Sequence, residues 1–576
     1  MSTMSNGAGA GGAAGVVSQA LTRTRALLPQ RADLRAMRTR PRRDLLAGVM
    51  VGLVALPLAL GFGISSGLGA GAGIATAIVA GILAAVFGGS NLQVSGPTGA
   101  MTVVLVPIVA QFGAQGVLAV GLMAGVILIA LAYLGAGRFM RYVPIPVVEG
   151  FTLGIAVIIG LQQIPPALGL TAEPEKVVLQ VAHAASEWLA HPQWATIAVT
   201  VLVVASILVG SRLRPGLPLP LIAVVLATVA NSFLGLGVAS IGEIPSGLPV
   251  PVLPTIPWEG LPDLVLPAVA VAALAALESL LSASVSDAMS VGHRHDSDRE
   301  LFGQGVANLA SPLFGGIPAT AAIARTAVNV RAGASSRAAA VTHSLILLVV
   351  VLVASRWVSQ IPLAALAGVL IATAIQMVEV SSLRALLRST RGDAVVLVIT
   401  AIATVAFDLV TAVILGLVVA GGFALQQTAR SARLDEIPLD STEHGDEERS
   451  LLDEKIVVYR LDGPLFFGAA HQFLLELSEV ADVRVVVLRM SRITTLDATG
   501  ASVLADTIKR LEGRGVTVLL SGVQDTHERV LRQLGVYDEL AHERHLFPRT
   551  PEAIAHARTH AARHVAHTPH QPGETH

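Results

Sequence analysis

From Leu45 to about Gln426 long apolar runs follow one another, separated by short polar stretches, and beyond that point the pattern changes to short alternations of apolar and polar positions. The first region is too continuous in its apolar character for the faces of a soluble helix bundle. Runs long enough to cross or nearly cross a bilayer fall at about 44–64, 69–88, 97–111, 116–135, 146–163, 193–210, 218–236, 265–288, 301–314, 319–330, 337–355, 362–379, 394–408 and 409–428. They predict an α-helical polytopic membrane domain of about fourteen segments over residues 43–428.

Arginine placement tests that reading, because cationic residues collect in cytoplasmic loops. Arg138 and Arg141, Arg212 and Arg214, Arg294 and Arg299, Arg331 and Arg337, and Arg384, Arg388 and Arg391 all follow even-numbered runs, with Arg356 as the exception. The opposite loops, about 164–192 and 237–264, carry a single Lys176, several Glu and many Pro. Residues 1–42, with Arg38, Arg40, Arg42 and Arg43 at their end, read as a cytoplasmic segment rather than a cleavable leader. Both termini are expected in the cytoplasm. Fourteen segments divide as seven plus seven, and an odd number per repeat inverts the second half relative to the first, with repeats of about 43–236 and 262–428.

Two interruptions stand at corresponding places in the halves. Ser95-Gly96-Pro97-Thr98-Gly99-Ala100-Met101-Thr102 breaks the third run and Gly315-Gly316-Ile317-Pro318-Ala319-Thr320-Ala321-Ala322 breaks the tenth. Similar markers follow each, Ile145-Pro146-Val147-Val148-Glu149-Gly150 and Ile361-Pro362-Leu363 on to Gly368. Pro97 suits the start of a helix whose free amides begin near Thr98, Gly99 and Ala100; Ala321 and Ala322 stand correspondingly in the second break. Opposed half-helix starts of this kind bind anions and mark a transporter's substrate site.

Charges inside apolar runs sharpen the picture. Glu278, mid-way along the eighth run, is costly against lipid and must face a cavity, a cation, a proton or another charge; Ser282, one turn on, makes with it an oxygen pair for a sodium ion or a proton relay. Arg325 follows the second break and suits an anionic substrate. Glu149 and Asp408 are weaker candidates at run ends.

The composition agrees: 576 residues, 53% hydrophobic and 14% charged, with a mean hydropathy of +0.68. A net charge of −1 suggests no nucleic-acid partner, and the absence of cysteine removes disulfides and thiolate metal sites. No nucleophile elbow, metal-ligand spacing or phosphate loop argues for an enzyme, a cofactor or a metal.

After a linker at 429–453, residues 454–550 read as an α/β domain: strands at Ile456–Leu461 and Val483–Arg489, a turn and strand from Asp462 to Gly468, a helix from Ala469 to Leu477, and then helix, strand and helix at Ala498–Glu512, Gly515–Ser521 and Thr526–Leu534. Residues 551–576 are expected to be a disordered tail, with His556, His560 and His564 solvated rather than metal-bound.

Gln93-Val94-Ser95-Gly96-Pro97-Thr98-Gly99 and Leu313-Phe314-Gly315-Gly316-Ile317-Pro318 with Arg325-Thr326 resemble signatures of the sulfate permease family, known in animals as solute carrier family 26. Leu461-Asp462-Gly463-Pro464-Leu465-Phe466-Phe467 and Leu496-Asp497-Ala498-Thr499-Gly500 are similar to STAS domains. The resemblance implies a core domain and a gate domain, the uracil-permease-like arrangement, usually in a homodimer in the inner membrane, with substrate held between the half-helix starts. Pro57-Leu58 followed by Phe62 departs from the Pro-Gln of many sulfate carriers and looks more like bacterial members that carry bicarbonate or small dicarboxylates. Ile323 stands where sodium-driven members have Thr, which favours protons over sodium, and Ala498 replaces the phosphorylated residue of related STAS domains. The expected activity is secondary active, proton-coupled uptake of bicarbonate or a C4-dicarboxylate such as fumarate, with sulfate also open. A nucleobase permease, or a membrane scaffold working through a partner of the STAS domain, are the competing readings.

Overall fold

The computed structural model describes residues 23–170, 177–214, 216–254, 260–290, 294–407, 409–430, 433–436, 455–466 and 483–565. Lys176, Asp408, the helix expected at 469–477 and most of the linker lie outside them. The chain divides into two units, Met1–Val418 and Val419–His576.

In the first unit a short helix, α1 (Arg31–Met37), precedes α2 (Pro41–Ser65) and α3 (Ala70–Phe87). A two-residue strand, β1 (Ser95–Gly96), leads into α4 (Gly99–Leu134), which bends at Gly113, where φ is +66°. Then follow α5 (Ile145–Gln162), α6 (Ile164–Ala167), α7 (Val177–Ala190), α8 (Trp194–Leu213), α9 (Leu219–Leu234), α10 (Leu261–Met289) and α11 (Ser297–Ala310). A second short strand, β2 (Thr320–Ala321), leads into α12 (Ile323–Arg331), followed by α13 (Ala338–Val358), α14 (Leu363–Met377), α15 (Val380–Ser389) and α16 (Arg391–Ala406), and α17 (Leu409–Arg430) spans the boundary between the units.

A helix stands at each expected apolar run. Nine helices among the described residues are long and apolar enough to cross a membrane. One of them, α4, joins two of the expected runs across Gly113, whereas α9, α11, α12 and α16 are shorter. The breaks shorten α12, because Pro318 and the extended residues after it take up chain that would otherwise be helical. The loop at 164–192 holds α7, a helix its polar, Pro-bearing sequence did not announce.

The second unit is a five-stranded sheet in the order β3 (Arg433–Glu436), β4 (Ile456–Leu465), β5 (Val485–Leu496), β6 (Thr517–Ser521), β7 (Leu546–Phe547), with β3 antiparallel to β4 and the other pairs parallel. Its helices are α18 (Ala498–Gly513), α19 (Asp525–Gln533) and α20 (Thr550–Val565). Alternation along β5 sends Val486 and Leu488 into one core with Leu504, Ile508 and Leu531, and Val485 and Val487 into another with Ala553, Ala557 and Ala561 of α20.

Three sequence expectations change here. The linker contains β3, which covers the free edge of β4. The turn expected at Asp462-Gly463-Pro464 is instead a pair of register shifts within one continuous strand, β4, because the parallel ladder to β5 resumes on both sides. The tail expected from residue 551 is helical to Val565. Its small alanines at positions 553, 557 and 561 let α20 lie close against the sheet, so residues 550–565 are packed rather than disordered.

Candidate functional site

The two breaks meet. β1 and β2 pair antiparallel, Ser95 opposite Ala321 and Gly96 opposite Thr320, so α4 and α12 start from opposite ends of one two-stranded ribbon. Ala322 N–H donates to Val94 O at 2.9 Å and Val94 N–H to Thr326 Oγ1 at 3.1 Å, which ties the approach to the first break to the second break and to its helix α12.

Thr98 caps α4, its Oγ1 accepting from Met101 N–H at 3.3 Å. No side chain caps α12. The first amides of a helix have no partner within it, so Gly99 and Ala100 on one side and Ile323 and Ala324 on the other present N–H groups at dipole-positive ends. Space at the first end is set by glycine: a Cβ on Gly99 would run into Ile159 and stand 3.1 Å from Phe62. Leu58 and Phe62 are buried on α2, Ala100 and Ala321 are buried beside the breaks, and Ala322 is half-buried. Ile323 is 36% exposed, so the α12 end is more open than the α4 end.

Glu278 is half-buried on α10, and its Oε2 accepts from Thr98 Oγ1 at 2.9 Å. The carboxylate is thereby joined to the cap of the first half-helix. Ser282 is not paired with it. Its hydroxyl donates to Thr326 Oγ1 at 3.0 Å, binding α10 to α12 on the far side of the ribbon. Arg325 is 1% exposed; its Nη2 donates to Pro97 O at 2.6 Å, whereas Nη1 has no hydrogen-bond partner. No ion pair within 4.0 Å joins Arg325 to Glu278. Arg325 therefore reaches back across the ribbon and clamps the first break. Gly96 makes room for it, since a Cβ there would stand 2.7 Å from Nη1. Glu149 is engaged elsewhere, accepting from Ser382 Oγ at 2.8 Å.

Sequence reasoning missed the supporting helix. On α11, Glu300, Gln304 and Asn308 recur at i, i+4 and i+8, one face of a helix, and that spacing within an apolar run was the available signal. Glu300 Oε2 accepts from the Gly89 and Ser90 amides at 2.9 and 3.2 Å, and its Oε1 accepts from Gln93 and Gln304. Gln304 also donates to Ser95 Oγ at 2.7 Å. Asn308 holds Ala319 by both its N–H and its C=O, each at 2.8 Å. One helix thus satisfies backbone ahead of the first break, at Gly89 and Ser90, and within the second, at Ala319, and holds the Ser95 hydroxyl between them.

Residues 42–400 match the sulfate permease family and residues 452–553 match the STAS domain. The chain is similar to YvdB of Bacillus subtilis, provisionally named a sulfate transporter, at 35% identity over 88% of this chain and 96% of that one. It is similar at 30% identity to the bicarbonate transporter BicA of Synechocystis, over 86% of this chain and 90% of that one. Among solved structures, the transmembrane domain of a cyanobacterial BicA superposes with a TM-score of 0.58 at 31% identity, covering 66% of this chain and 98% of that chain. A murine solute carrier 26 anion transporter, member A9, superposes with a TM-score of 0.79 at 19% identity, covering 90% of this chain and 91% of that one.

Proposed function

The chain belongs to the sulfate permease family of anion transporters, a family of carriers and not of enzymes, and from that premise we propose that it takes up a small anion together with protons by alternating access. Bicarbonate or a C4-dicarboxylate such as fumarate is the favoured substrate, ahead of sulfate. The protein works as a homodimer in the inner membrane with both termini in the cytoplasm, and its STAS domain takes a cytoplasmic partner.

The observation that carries the reading is the hydrogen bond from Thr98 to Glu278 at the start of α4. An anion seated between the starts of α4 and α12 is attracted by roughly half a positive charge at each. An ionised Glu278 beside that seat opposes it: two unit charges 4 Å apart repel by about 4 kcal/mol at an effective dielectric near 20. Protonation removes the repulsion and leaves a carboxyl group that still engages Thr98, so anion and proton bind together. Arg325 supports the seat from behind, holding Pro97 while its second nitrogen adds positive charge. Ile323 gives α12 no side-chain oxygen for sodium. Leu58 and Phe62 close the apolar side, which suits a small anion with little need for hydrogen bonds from α2.

Uptake of labelled bicarbonate, fumarate and sulfate into proteoliposomes, with and without an inward proton gradient, tests this directly. The gradient should accelerate one anion severalfold in the wild type. Glu278→Gln should take up the same anion at a rate that no longer follows pH, since an amide cannot gain or lose a proton. Uptake driven by sodium and indifferent to protons, or a Gln variant with unchanged pH dependence, would overturn the coupling.

A further inference from the structure

We propose that His545, His556 and His560 form a three-imidazole site for a divalent ion of the zinc type within the second unit. The ligand nitrogens of these residues lie within 4.8 Å of one another. His556 and His560 are one turn apart on α20, and their Nε2 atoms are 3.2 Å apart. Zinc bonds imidazole nitrogen at about 2.0–2.1 Å with tetrahedral geometry, and two nitrogens on such a metal are about 3.3 Å apart. That edge is already formed. His545 sits just before β7, with its ring centroid 5.6 Å from His556 and 5.1 Å from His560, so a small approach of its ring completes the face of the tetrahedron.

An independent observation points to a ligand. His545 is 3% exposed and its Nδ1 has no hydrogen-bond partner. A buried polar atom left unsatisfied is unfavourable, and native structures keep few of them without a reason. The surrounding frame is also rigid: Ala553, Ala557 and Ala561 fix α20 on the sheet, and Ser521 Oγ stands 3.2 Å from Thr550 Oγ1 at the helix start. The histidines are therefore held together before any ion arrives.

The donor set chooses the ion. Three neutral imidazoles suit zinc, copper or nickel and disfavour magnesium and calcium, which require oxygen. Three protein ligands leave the fourth position to water. The ion would join the β7 approach to α20 and so fasten the last helix of the unit to its sheet.

The test uses the full-length protein in detergent, purified without a histidine tag, stripped with chelator and titrated with zinc against a chromophoric competitor. Wild type should bind one equivalent tightly, and cobalt should give the intense visible bands of a tetrahedral site. A chain ending at Val565, which removes His567, His570 and His576, should bind as well as wild type. H556N with H560N should lose at least about a hundredfold in affinity, having one imidazole of three. X-ray absorption of the zinc-loaded wild type should count three imidazoles, and this holds whether or not the variant folds. No stoichiometric zinc, fewer than three imidazoles, or binding lost on truncation at Val565 and kept in the double variant would each overturn the site.

Discussion

Gly96 decides how close the two breaks can come. Its φ of +153° and the 2.7 Å separation between a virtual Cβ and Arg325 Nη1 mean that Gly96→Ala pays twice, once in backbone strain and once in displacing a buried guanidinium. Gly113 has a φ of +66° with nothing within 4 Å of a virtual Cβ, so Gly113→Ala incurs the strain alone. Each variant should lose about 1–3 kcal/mol from strain, with about 1–3 kcal/mol more at Gly96 from overpacking. Anion-dependent protection against thermal unfolding should vanish in Gly96→Ala and persist in Gly113→Ala. Equal protection in the two would show that the guanidinium position does not matter to the seat. At this scale the sequence was informative where chemistry is local: Pro97 announces a helix start near Thr98, and α4 begins at Gly99 with Thr98 as its cap and Pro97 just outside it. It was silent where a side chain had several partners in reach. Ser282 lies one turn from Glu278, yet its hydroxyl goes to Thr326, because the choice is made by α12, a helix of the same repeat 44 residues further along the chain.

Among whole helices, α1 offers a test that stands apart from transport. Asp33 bonds Arg299 at 2.5 Å and lies 3.2 Å from Arg337, fastening the N-terminal segment to the starts of α11 and α13. Burial opposes its ionisation, but the hydrogen bond from Arg299, the Gln30 amide and the charges of Arg337 and Arg299 outweigh it and hold the carboxyl below its ordinary value of 3.8. A carboxyl depressed on folding contributes stability above its unfolded pKa and loses it as pH falls through the folded one. Limited proteolysis near Arg31–Met37 should accordingly stay slow from neutral pH down to about 4 and accelerate only below it. Asp33→Asn should be cut several times faster already at pH 7; equal rates would mean that the ion pairs do not hold α1. Elements of this size were legible from apolar periodicity in the first unit, and every expected run has its helix. Besides α7, the miss was α20, whose alanines, arginines and histidines leave Ile554 as the one large apolar residue before its last turn. It is packed all the same, since small side chains bring a helix axis nearer to a sheet.

For the molecule as a whole, the division into two units predicts that deleting Lys455 to His576 lowers uptake rate or yield while leaving anion binding in place, because every residue of the proposed seat lies between Leu58 and Arg325. Anion-induced thermal stabilisation of the truncated, inserted protein measures this, and its loss would place part of the seat in the second unit. The two paired breaks were readable because Gly, Pro and Thr cannot be hidden in an apolar run. The α11 ladder showed only as a spacing, since its partners, the Gly89 and Ser90 amides, Ser95 Oγ and the backbone of Ala319, are brought to it by the fold. The ribbon of β1 and β2 also bears on how the protein is made. Arg325 and Pro97 are separated by 228 residues, so at about 5–20 residues per second a ribosome needs roughly 10–45 s after releasing the first break to deliver the second. Throughout that interval the strand of the first break lacks its ribbon partner, and chains stalled before Ala319 should be the form of this protein most open to quality-control proteases.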